Sequence, residues 1–459
     1  MTGRLAKKVL LIGWDAADWR VINPLMDAGK MPALKSLVER GVMGNLATLH
    51  PVLSPMLWTS IATGKRPYKH GILGFSEPTP DGTRVRPVSS RSRKTKALWN
   101  ILHQNGLKSH VIAWWPSAPV EPINGVMISN HYHQAVGPLN EPWPLPPGTV
   151  HPLQLAEKFA ELRFHPLELT AEEILPFIPR AAEIDQDRDK RLGMAMKTLA
   201  EASSVHAAAT WAMENQPWDL MAVYYDAIDH FCHGFMKYHP PRRAHISEQD
   251  FELYKGVVQG GYRYHDMMLA RLLELAGEDA TIILVSDHGF HPDHNRPVAI
   301  PNEPAGPAVE HRDFGIFAMA GPGIKRDDLI YGASLLDVTP TILTLFGLPV
   351  GEDMDGKPLA QAFVTVPEIA SIPSWDAVEG EAAMHPAEIQ SDPLAEQAAL
   401  QQLIALGYID KLDDNHEQAV AGTAQELRYN LARAYMDGDR HAEAALILRE
   451  LYANAPDEH

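Results

Sequence analysis

The chain has 459 residues, 45% of them hydrophobic, which is enough to bury a large core and to form two or three domains. No apolar run reaches the roughly 18 residues that a membrane span needs, and "MTGRLAKKVLLIGWD" turns acidic where a signal peptide would be cleaved. We therefore expect a cytoplasmic protein without a membrane segment. The single cysteine, Cys232, excludes an intrachain disulfide and a thiolate zinc site.

The negative charge is concentrated in the C-terminal quarter of the chain. Residues 351–459 contain 21 acidic and 6 basic residues, a balance of -15, whereas residues 1–350 contain 37 and 34, a balance of -3. An acidic tail argues against binding of nucleic acid. The nearly neutral remainder leaves room for a local positive site that holds an anion.

Short apolar runs recur along the chain and alternate with helical sequence. The first, "KKVLLIGWD" (7–15), is followed by the helical pattern "PALKSLVERG". Similar runs are "SHVIAWWP" (109–116), "WDLMAVYYD" (218–226) and "ATIILVSDHG" (280–289). Nearly continuous apolar strands that alternate with helices predict an α/β fold with a mostly parallel sheet sandwiched by helices.

The remaining segments predict the domain organisation. Residues 134–215 begin rich in proline and continue as helical sequence, so we expect a helical insertion or lid there. "SLLDVTPTILTLFGLP" (334–349) predicts a helix with Thr339 as N-cap and Pro340 at the first helical position. We expect a catalytic domain over 1–365, a linker over 366–392 and a helical region over 393–459.

The C-terminal region has the spacing of a tetratricopeptide-like repeat. The residues that carry this pattern are Leu431, Ala432, Tyr435, Ala444, Leu448 and Pro456. A lone repeat cannot bury its own apolar face, so it must pack on the preceding helix, on the catalytic domain or on another subunit. We therefore expect a homodimer or a protein partner through this region, with an ordinary helical hairpin as the alternative.

Three predicted strands end on candidate metal ligands: Asp15, the segment 226–233, and Asp287 with His288. The carboxyl ends of parallel strands meet in one crevice, so these side chains can converge. A single Asp at a strand end is more typical of a helix cap, but clustered carboxylates and imidazoles favour divalent cations. His311, before a later apolar run, is a further candidate.

The segment "YYDAIDHFCHG" (224–234) offers two acid/histidine pairs with the spacing i, i+4. They are Asp226 with His230 and Asp229 with His233. Both spacings place their members on one face of a helix, so helical geometry leaves the choice open. With either pair, the chain supplies about six nitrogen and oxygen ligands, enough for two four-coordinate sites.

A candidate nucleophile, Ser54, lies in "HPVLSPMLWTSIATGKRPYKHGI" (50–72) on a proline-flanked turn before a predicted helix. Backbone donors and the helix dipole at that position favour an anion, and a metal ion can lower the pKa of the hydroxyl. The alternative is that Ser54 only caps the helix.

The order of these pieces resembles the alkaline phosphatase superfamily, and in particular its type I phosphodiesterase/nucleotide pyrophosphatase branch, over residues 8–365. The resemblance implies that Ser54 is the nucleophile and a ligand of the nearer metal ion. It also implies two ligand sets and favours Asp229 with His233 over Asp226 with His230. The implied sets are Asp15, Asp287 and His288 for the ion nearer Ser54, and Asp229, His233 and His311 for the other. Two divalent ions are implied, zinc in the first place, with manganese or iron as alternatives.

Two departures from the family pattern concern the phosphate contacts. Phe75 lies near the position where nucleotide pyrophosphatases carry an Asn, and Lys65, Arg66 and Lys69 are candidate cationic substitutes, with solvated surface charges as the alternative. "SPMLW" lacks the spaced proline and arginine of a sulfatase site. His291 and His294 are candidates to line a leaving-group pocket, although exposed loop histidines are the simpler interpretation.

The expected function is metal-dependent hydrolysis of a phosphodiester or pyrophosphate bond in a small-molecule phosphate ester through a covalent phospho-Ser54 intermediate. The alternatives are a phosphomonoesterase, a phospho-group transferase, or a non-catalytic scaffold that acts through the repeat-like tail. The sequence leaves the metal, the leaving group and the oligomeric state open.

Overall fold

The computed structural model describes residues 3–134, 143–301, 305–385, 393–405, 408–409, 411–413 and 415–454. Part of the predicted insertion (135–142), part of the predicted linker (386–392) and Pro456 of the repeat pattern lie outside the described residues. None of the described helices is both long enough and apolar enough to cross a membrane.

The strands of the described residues are numbered in chain order. They are β1 (Lys8–Trp14), β2 (Val42–Ala47), β3 (Ser76–Pro78), β4 (Val85–Pro87), β5 (Ser109–Ile112), β6 (Gly125–Ile128), β7 (Val150–His151), β8 (Leu220–Tyr225), β9 (Ala280–Val285), β10 (Gly289–Phe290), β11 (His311–Arg312), β12 (Phe314–Ala320), β13 (Asp328–Leu329), β14 (Ala333–Ser334), β15 (Val350–Gly351) and β16 (Ser371–Ile372).

The α-helices are numbered in the same way. They are α1 (Trp19–Asp27), α2 (Pro32–Glu39), α3 (Ser54–Thr63), α4 (Pro67–His70), α5 (Leu98–Gln104), α6 (Ala156–Glu161), α7 (Ala171–Ile174), α8 (Arg191–Asn215), α9 (Ala227–Phe235), α10 (Glu248–Tyr254), α11 (Val257–Ala276), α12 (Val338–Leu345), α13 (Pro393–Ala405), α14 (His416–Asp437) and α15 (His441–Asn454).

The central sheet is mixed but mostly parallel. Its strand order is β13-β2-β12-β9-β1-β8-β5-β6-β7, with β14 beside β2. Strand β1 runs parallel to both β8 and β9, and β5 runs parallel to β8 and β6, whereas β12 is antiparallel to its neighbours β9 and β2. The predicted α/β fold is confirmed, and the ends of β9, β1 and β8 lie side by side.

Helices cover both faces of this sheet. Every residue of β8 and β9 is buried, as expected of strands whose side chains find apolar partners on both faces. One core contains side chains of α1, α2, α8, α9 and α11, and the other contains side chains of α3, α5 and α12. Each fully buried Leu, Ile or Val contributes about 1.5–3 kcal/mol, so the strand ends are held firmly in register.

The C-terminal helices pack on the sheet-bearing part of the chain. Helices α14 and α15 contact each other, α14 also contacts β3 and α4, and α13 contacts β4. The ring of Tyr435 stacks on Tyr68 with centroids 4.9 Å apart, and Arg66 forms an ion pair with Asp437. The tetratricopeptide-like character of this region stays a prediction.

The predicted start of the helix near residue 338 was wrong. Helix α12 begins at Val338 with Asp337 as N-cap, so Pro340 lies inside the first turn. The Thr339 hydroxyl instead donates a hydrogen bond to the carbonyl of Ile61 at 2.7 Å. A turn capped by Ser334 runs directly into α12, and proline is tolerated anywhere in a first turn because its missing N–H has no helical partner there.

Candidate active site

Three neighbouring strands deliver acidic side chains to one edge of the sheet. Asp15 follows β1 directly, Asp287 and His288 follow β9 after one serine, and β8 leads through Asp226 into α9, which carries Asp229 and His233. Because β9, β1 and β8 are adjacent, side chains that are far apart in the sequence lie close together here.

The first cluster, which we call the core group, consists of Asp15, Asp287 and His288. The Nε2 atom of His288 lies 3.2 Å from Asp15 Oδ1 and 3.6 Å from Asp287 Oδ2. All three residues are buried, with at most 1% of their surface exposed. Such burial of two carboxylates beside an imidazole is costly unless a cation or a proton balances the charge.

The orientation of the core group is set by neighbouring polar groups. The hydroxyl of Tyr224 donates to Asp15 Oδ2 at 2.6 Å, and Trp58 Nε1 donates to the same oxygen at 3.1 Å. His288 Nδ1 lies 3.0 Å from the carbonyl of Gly289, which leaves Nε2 directed at the carboxylates. A Cβ at Gly13 would lie 2.5 Å from the Trp58 ring, so glycine is required for the indole to reach Asp15.

The second cluster, which we call the outer group, consists of Asp229, His233 and His311. Asp229 Oδ1 lies 3.2 Å from His233 Nε2 and 3.6 Å from His311 Nε2, and the two Nε2 atoms are 3.1 Å apart. His233 Nδ1 lies 2.7 Å from Glu310 Oε2. The hydroxyl of Tyr408 donates to Asp229 Oδ2 at 2.6 Å.

His311 reaches the outer group on a short ribbon. Strand β11 pairs antiparallel with β10, and the register places His311 opposite Phe290. Since β10 follows His288 directly, the ribbon brings His311 back over the end of β9. The rings of His288 and His311 stack with centroids 3.8 Å apart and planes 18° from parallel, so the two groups adjoin.

Burial and neighbouring charges shift the pKa values of the cluster residues, upward for some side chains and downward for others. Burial and the charge of Asp15 raise the pKa of Asp287 well above its ordinary value. Burial opposes the imidazolium of His288, but the carboxylates of Asp287 and Asp15 outweigh it and raise the pKa of His288 to about 10. Asp229 likewise outweighs burial and raises the pKa of His233 to about 10, whereas burial and His288 lower the pKa of His311 well below its usual range.

The geometry of both groups fits divalent cations. Four buried atoms that face the clusters make no hydrogen bond with the described residues: Asp15 Oδ1, Asp287 Oδ2, His288 Nε2 and Asp229 Oδ1. Two ligand atoms bound tetrahedrally at about 2.0–2.1 Å from zinc lie roughly 3.3 Å apart, and the ligand pairs here are 3.1–3.6 Å apart. Ligand atoms of Asp15, Asp287 and His288 lie within 4.8 Å of one another, as do those of Asp229, His288 and His311.

Ser54 is the first residue of α3, as the sequence predicted for a hydroxyl at a helix N-terminus. It is buried, and it shares a small cavity with His311 and Tyr408 whose other walls are mainly apolar, including Val52 and Phe75. The structure therefore places Ser54 in a cavity beside His311, whose ring stacks on His288 of the core group, and the dipole of α3 favours an anion there.

The alternative pair, Asp226 and His230, lies in a neighbouring cavity. Asp226 Oδ2 faces His133 Nε2 at 3.5 Å, and Asp226, His133 and His230 line a cavity that also includes Trp115 and Leu403. Asp226 occupies the N-cap position of α9 without making a side-chain cap hydrogen bond. The structure thus separates the two pairs, and Asp229 with His233 is the pair that meets His311.

The cationic side chains proposed from the sequence as phosphate contacts have other partners. Lys65 Nζ lies 2.5 Å and 2.6 Å from the carboxylates of Asp353 and Asp376, and Lys69 pairs with Asp355 at 2.6 Å. Arg66 pairs with Asp437, which belongs to α14. These side chains hold the chain together around α4, away from the Ser54 cavity.

The residues that support the ligands were not predicted from the sequence. Glu310 directly precedes His311, and Tyr224 precedes the Asp226 segment, so both stand beside the candidates that the motifs identified. Trp58 belongs to the helix that follows Ser54. Tyr408 has no local signal, since it lies in the C-terminal region that the sequence separated from the catalytic domain. His291 is half-buried and His294 exposed, and neither belongs to the two groups.

The chain superposes on solved structures of low sequence identity. Among solved structures, a 2-O GAG sulfatase superposes with a TM-score of 0.50 at 14% sequence identity, covering 78% of this chain and 74% of that chain. The wild-type alkaline phosphatase PafA gives a TM-score of 0.49 at 12% identity, covering 78% of this chain and 99% of that chain. The sulfatase likeness shows a shared fold alone. The search of curated proteins returned no match.

The family model for type I phosphodiesterase / nucleotide pyrophosphatase matches residues 9–313. This range covers about two thirds of the chain and includes both groups and Ser54, whereas Tyr408 lies beyond it. The chain belongs to the type I phosphodiesterase / nucleotide pyrophosphatase family.

Proposed function

We propose that this chain is a metal-dependent hydrolase that cleaves a phosphodiester or pyrophosphate bond through a covalent phospho-Ser54 intermediate. The observation that supports it best is the pair of buried Asp/His groups, in which Asp15 Oδ1, Asp287 Oδ2, His288 Nε2 and Asp229 Oδ1 make no hydrogen bonds with the described residues. Ser54 lies at a helix N-terminus in the adjoining cavity. Membership of the type I phosphodiesterase / nucleotide pyrophosphatase family supports a phosphoryl hydrolase.

Each group would hold one divalent ion. The core group, together with Ser54, would bind the ion nearer the nucleophile, and the outer group would bind the second. Such ions lower the pKa of a hydroxyl and of a water molecule and offset charge on phosphoryl oxygens. Imidazole nitrogens and carboxylate oxygens suit zinc first, and they also accept manganese or iron.

The reaction divides into two displacements at phosphorus. In the first, Ser54 Oγ loses its proton and bonds to phosphorus, while the bond from phosphorus to the leaving oxygen breaks and that oxygen gains a proton. In the second, a water oxygen bonds to phosphorus, the bond to Ser54 Oγ breaks, and Ser54 regains a proton. The N-terminus of α3 favours the anionic phosphoryl group beside Ser54 throughout.

The lining of the Ser54 cavity favours a diester over a monoester. Among the described residues that line it there is no Lys or Arg, and Lys65, Arg66 and Lys69 are paired elsewhere. A phosphomonoester dianion brings one more negative charge than a diester monoanion, and none of the described lining residues is a Lys or Arg that could balance it beside the two proposed ions.

The ratio of kcat/KM on bis(p-nitrophenyl) phosphate to that on p-nitrophenyl phosphate tests this preference. We expect a ratio above one. A ratio below one at the same metal content would favour the phosphomonoesterase alternative, and phosphoryl transfer to an added alcohol would identify a transferase.

Replacement of Ser54 tests the nucleophile. We expect Ser54→Ala to lose diester turnover by about 10³-fold or more while elemental analysis finds the metal content of the wild type. Ser60→Ala is the matched control, because Ser60 lies on the same helix but hydrogen-bonds to His70 at 3.0 Å. Turnover by Ser54→Ala at the level of Ser60→Ala would contradict the assignment.

The tail supports a separate proposal on partners. Helices α14 and α15 leave Met436, Leu446 and Tyr452 exposed by about half or more, so we retain the proposal of a homodimer or protein partner through this surface. Sedimentation velocity of the wild type and of Leu446→Asp would detect the homodimer.

A wild-type protein that binds no metal and turns over no ester would instead favour the scaffold alternative.

A further inference from the structure

The C-terminal region sends one side chain into the metal centre. Tyr408 follows α13, and its ring is buried with 6% of its surface exposed. The ring stacks on Phe75 with centroids 4.8 Å apart and planes 9° from parallel, and it meets the His233 ring edge-on at 6.1 Å. Packing on Phe75 therefore determines where the Tyr408 hydroxyl points.

The Tyr408 hydroxyl makes the two carboxylate oxygens of Asp229 differ in their contacts. Oδ2 accepts the hydrogen bond from Tyr408 at 2.6 Å. Oδ1 makes no hydrogen bond with the described residues and faces His233 and His311. A carboxylate held in this way cannot rotate away from the position in which Oδ1 points at the cluster.

The core group shows the same arrangement, but there the tyrosine belongs to a strand, β8. Tyr224 donates to Asp15 Oδ2 at 2.6 Å, while Asp15 Oδ1 makes no hydrogen bond within the part of the chain that the structure describes and faces His288. In both groups a buried tyrosine hydroxyl holds one carboxylate oxygen and leaves the other for the cluster. The repetition indicates that Tyr408 performs for Asp229 the task that Tyr224 performs for Asp15.

Apolar contacts hold Tyr408 in this place. Leu403 and Ile409 beside it belong to one buried cluster with Leu53 and Met56, which flank Ser54. Farther away, α14 is anchored by the stacking of Tyr435 on Tyr68 and by the ion pair of Asp437 with Arg66. The docked tail therefore reaches both the nucleophile helix and the outer group.

We propose that Tyr408 is a positioning residue of the outer group, so that the affinity of this group for its metal ion depends on the docked C-terminal region. The proposal rests on the proposed function, since it needs a metal ion at the outer group. Hydrogen-bond partners of metal ligands contribute about 10–100-fold to metal affinity, and that range is the effect expected here.

The test is a titration of metal-free full-length protein with Zn²⁺ against a competing chelator. In Tyr408→Phe, which keeps the ring on Phe75, we expect one binding event to weaken by about 10–100-fold and the other to match the wild type. Excess Zn²⁺ should then restore kcat. Tyr435→Phe is the matched control, since it removes a hydroxyl from another docked tyrosine away from the site.

A second variant tests whether docking matters. Leu403→Asp, which places a charge in the apolar contact beside Tyr408, should weaken the same binding event. If the wild type binds two ions and the titration of Tyr408→Phe is unchanged, the proposed role of Tyr408 is overturned, whereas the proposed function is not. An unchanged titration for Leu403→Asp would overturn the dependence on docking. A wild type that binds no ion would overturn the proposed function as well.

Discussion

The core group and the outer group contain the same kinds of ligand, but different parts of the chain support them. The core group lies at the ends of β1 and β9, and its supports Tyr224 and Trp58 belong to β8 and α3. The outer group depends on Glu310, on the β10–β11 ribbon and on Tyr408. Side-chain exposure follows this difference, at 0% for His288 and 17% for His233.

The sheet and its adjoining helices supply all the ligands and supports of the core group, whereas the outer group, although Asp229 and His233 follow β8 on α9, is completed by later segments. Residues at the ends of buried strands have little freedom to move. Loop and tail residues can adjust independently of the sheet, and solvent reaches them more easily. We therefore expect the core group to retain its ion longer than the outer group under dialysis.

The largest effect is expected from Asp287→Asn in the core group. Loss of this carboxylate should reduce diester turnover by about 10³-fold. Because burial and Asp15 raise the pKa of Asp287, folding of the metal-free protein at neutral pH works against the ionised form of this carboxyl, and the same change removes that cost and should stabilise the metal-free protein. Thermal unfolding with and without Zn²⁺ measures both consequences. Lower stability of the metal-free variant than of the wild type would contradict this view of the core group.

Metal uptake by either group should weaken as the pH falls. With pKa values raised to about 10, His288 and His233 carry protons at neutral pH in the metal-free protein. Lower pH therefore favours the metal-free form, and affinity should fall by about tenfold per pH unit for each proton released. Calorimetry in buffers of different ionisation enthalpy counts these protons. His233→Gln should lower the number of protons released at the outer group by one. An unchanged number would contradict the protonated state of His233 in the metal-free protein.

The smallest effect is expected from Tyr224→Phe. Asp15 Oδ2 keeps the Trp58 donor at 3.1 Å when the Tyr224 hydroxyl is removed, whereas Asp229 Oδ2 has Tyr408 as its hydroxyl donor. We expect Tyr224→Phe to weaken the core group by about tenfold or less, and by less than Tyr408→Phe weakens the outer group. The Zn²⁺ titration measures both losses of affinity. A larger loss for Tyr224→Phe than for Tyr408→Phe would contradict the view that the sheet holds the core group more rigidly than the outer group.

The sequence predicted best what continuous apolar strands determine. The runs ending at Trp14 and Val285 are buried on both faces, so their ends place Asp15, Asp287 and His288 with little freedom. The i, i+4 spacing could not separate Asp226 from Asp229, because both pairs would lie on one face of a helix. In the structure α9 starts at Ala227, and Asp226 turns to His133 instead.

Contacts between distant segments could not be predicted from local patterns. The approach of His311 depends on the register of a two-residue ribbon, and that of Tyr408 depends on docking of the tail. Lys65 and Lys69 illustrate the same limit, since their acidic partners Asp353 and Asp355 lie almost 300 residues further on. From the sequence alone, cationic side chains near a nucleophile are interpreted as phosphate ligands, because their distant acidic partners cannot be predicted.

The hydrogen bond from Tyr408 to Asp229 also sets an order of events during synthesis. Ribosomes make the chain from the N-terminus, so the sheet, Ser54 and the core group can form before Tyr408 has left the exit tunnel. The outer group gains its tyrosine partner only when the C-terminal region emerges and docks. On the proposed role of Tyr408, a nascent chain would hold its second ion weakly until the C-terminal region has emerged and docked, and full hydrolytic activity would begin only then.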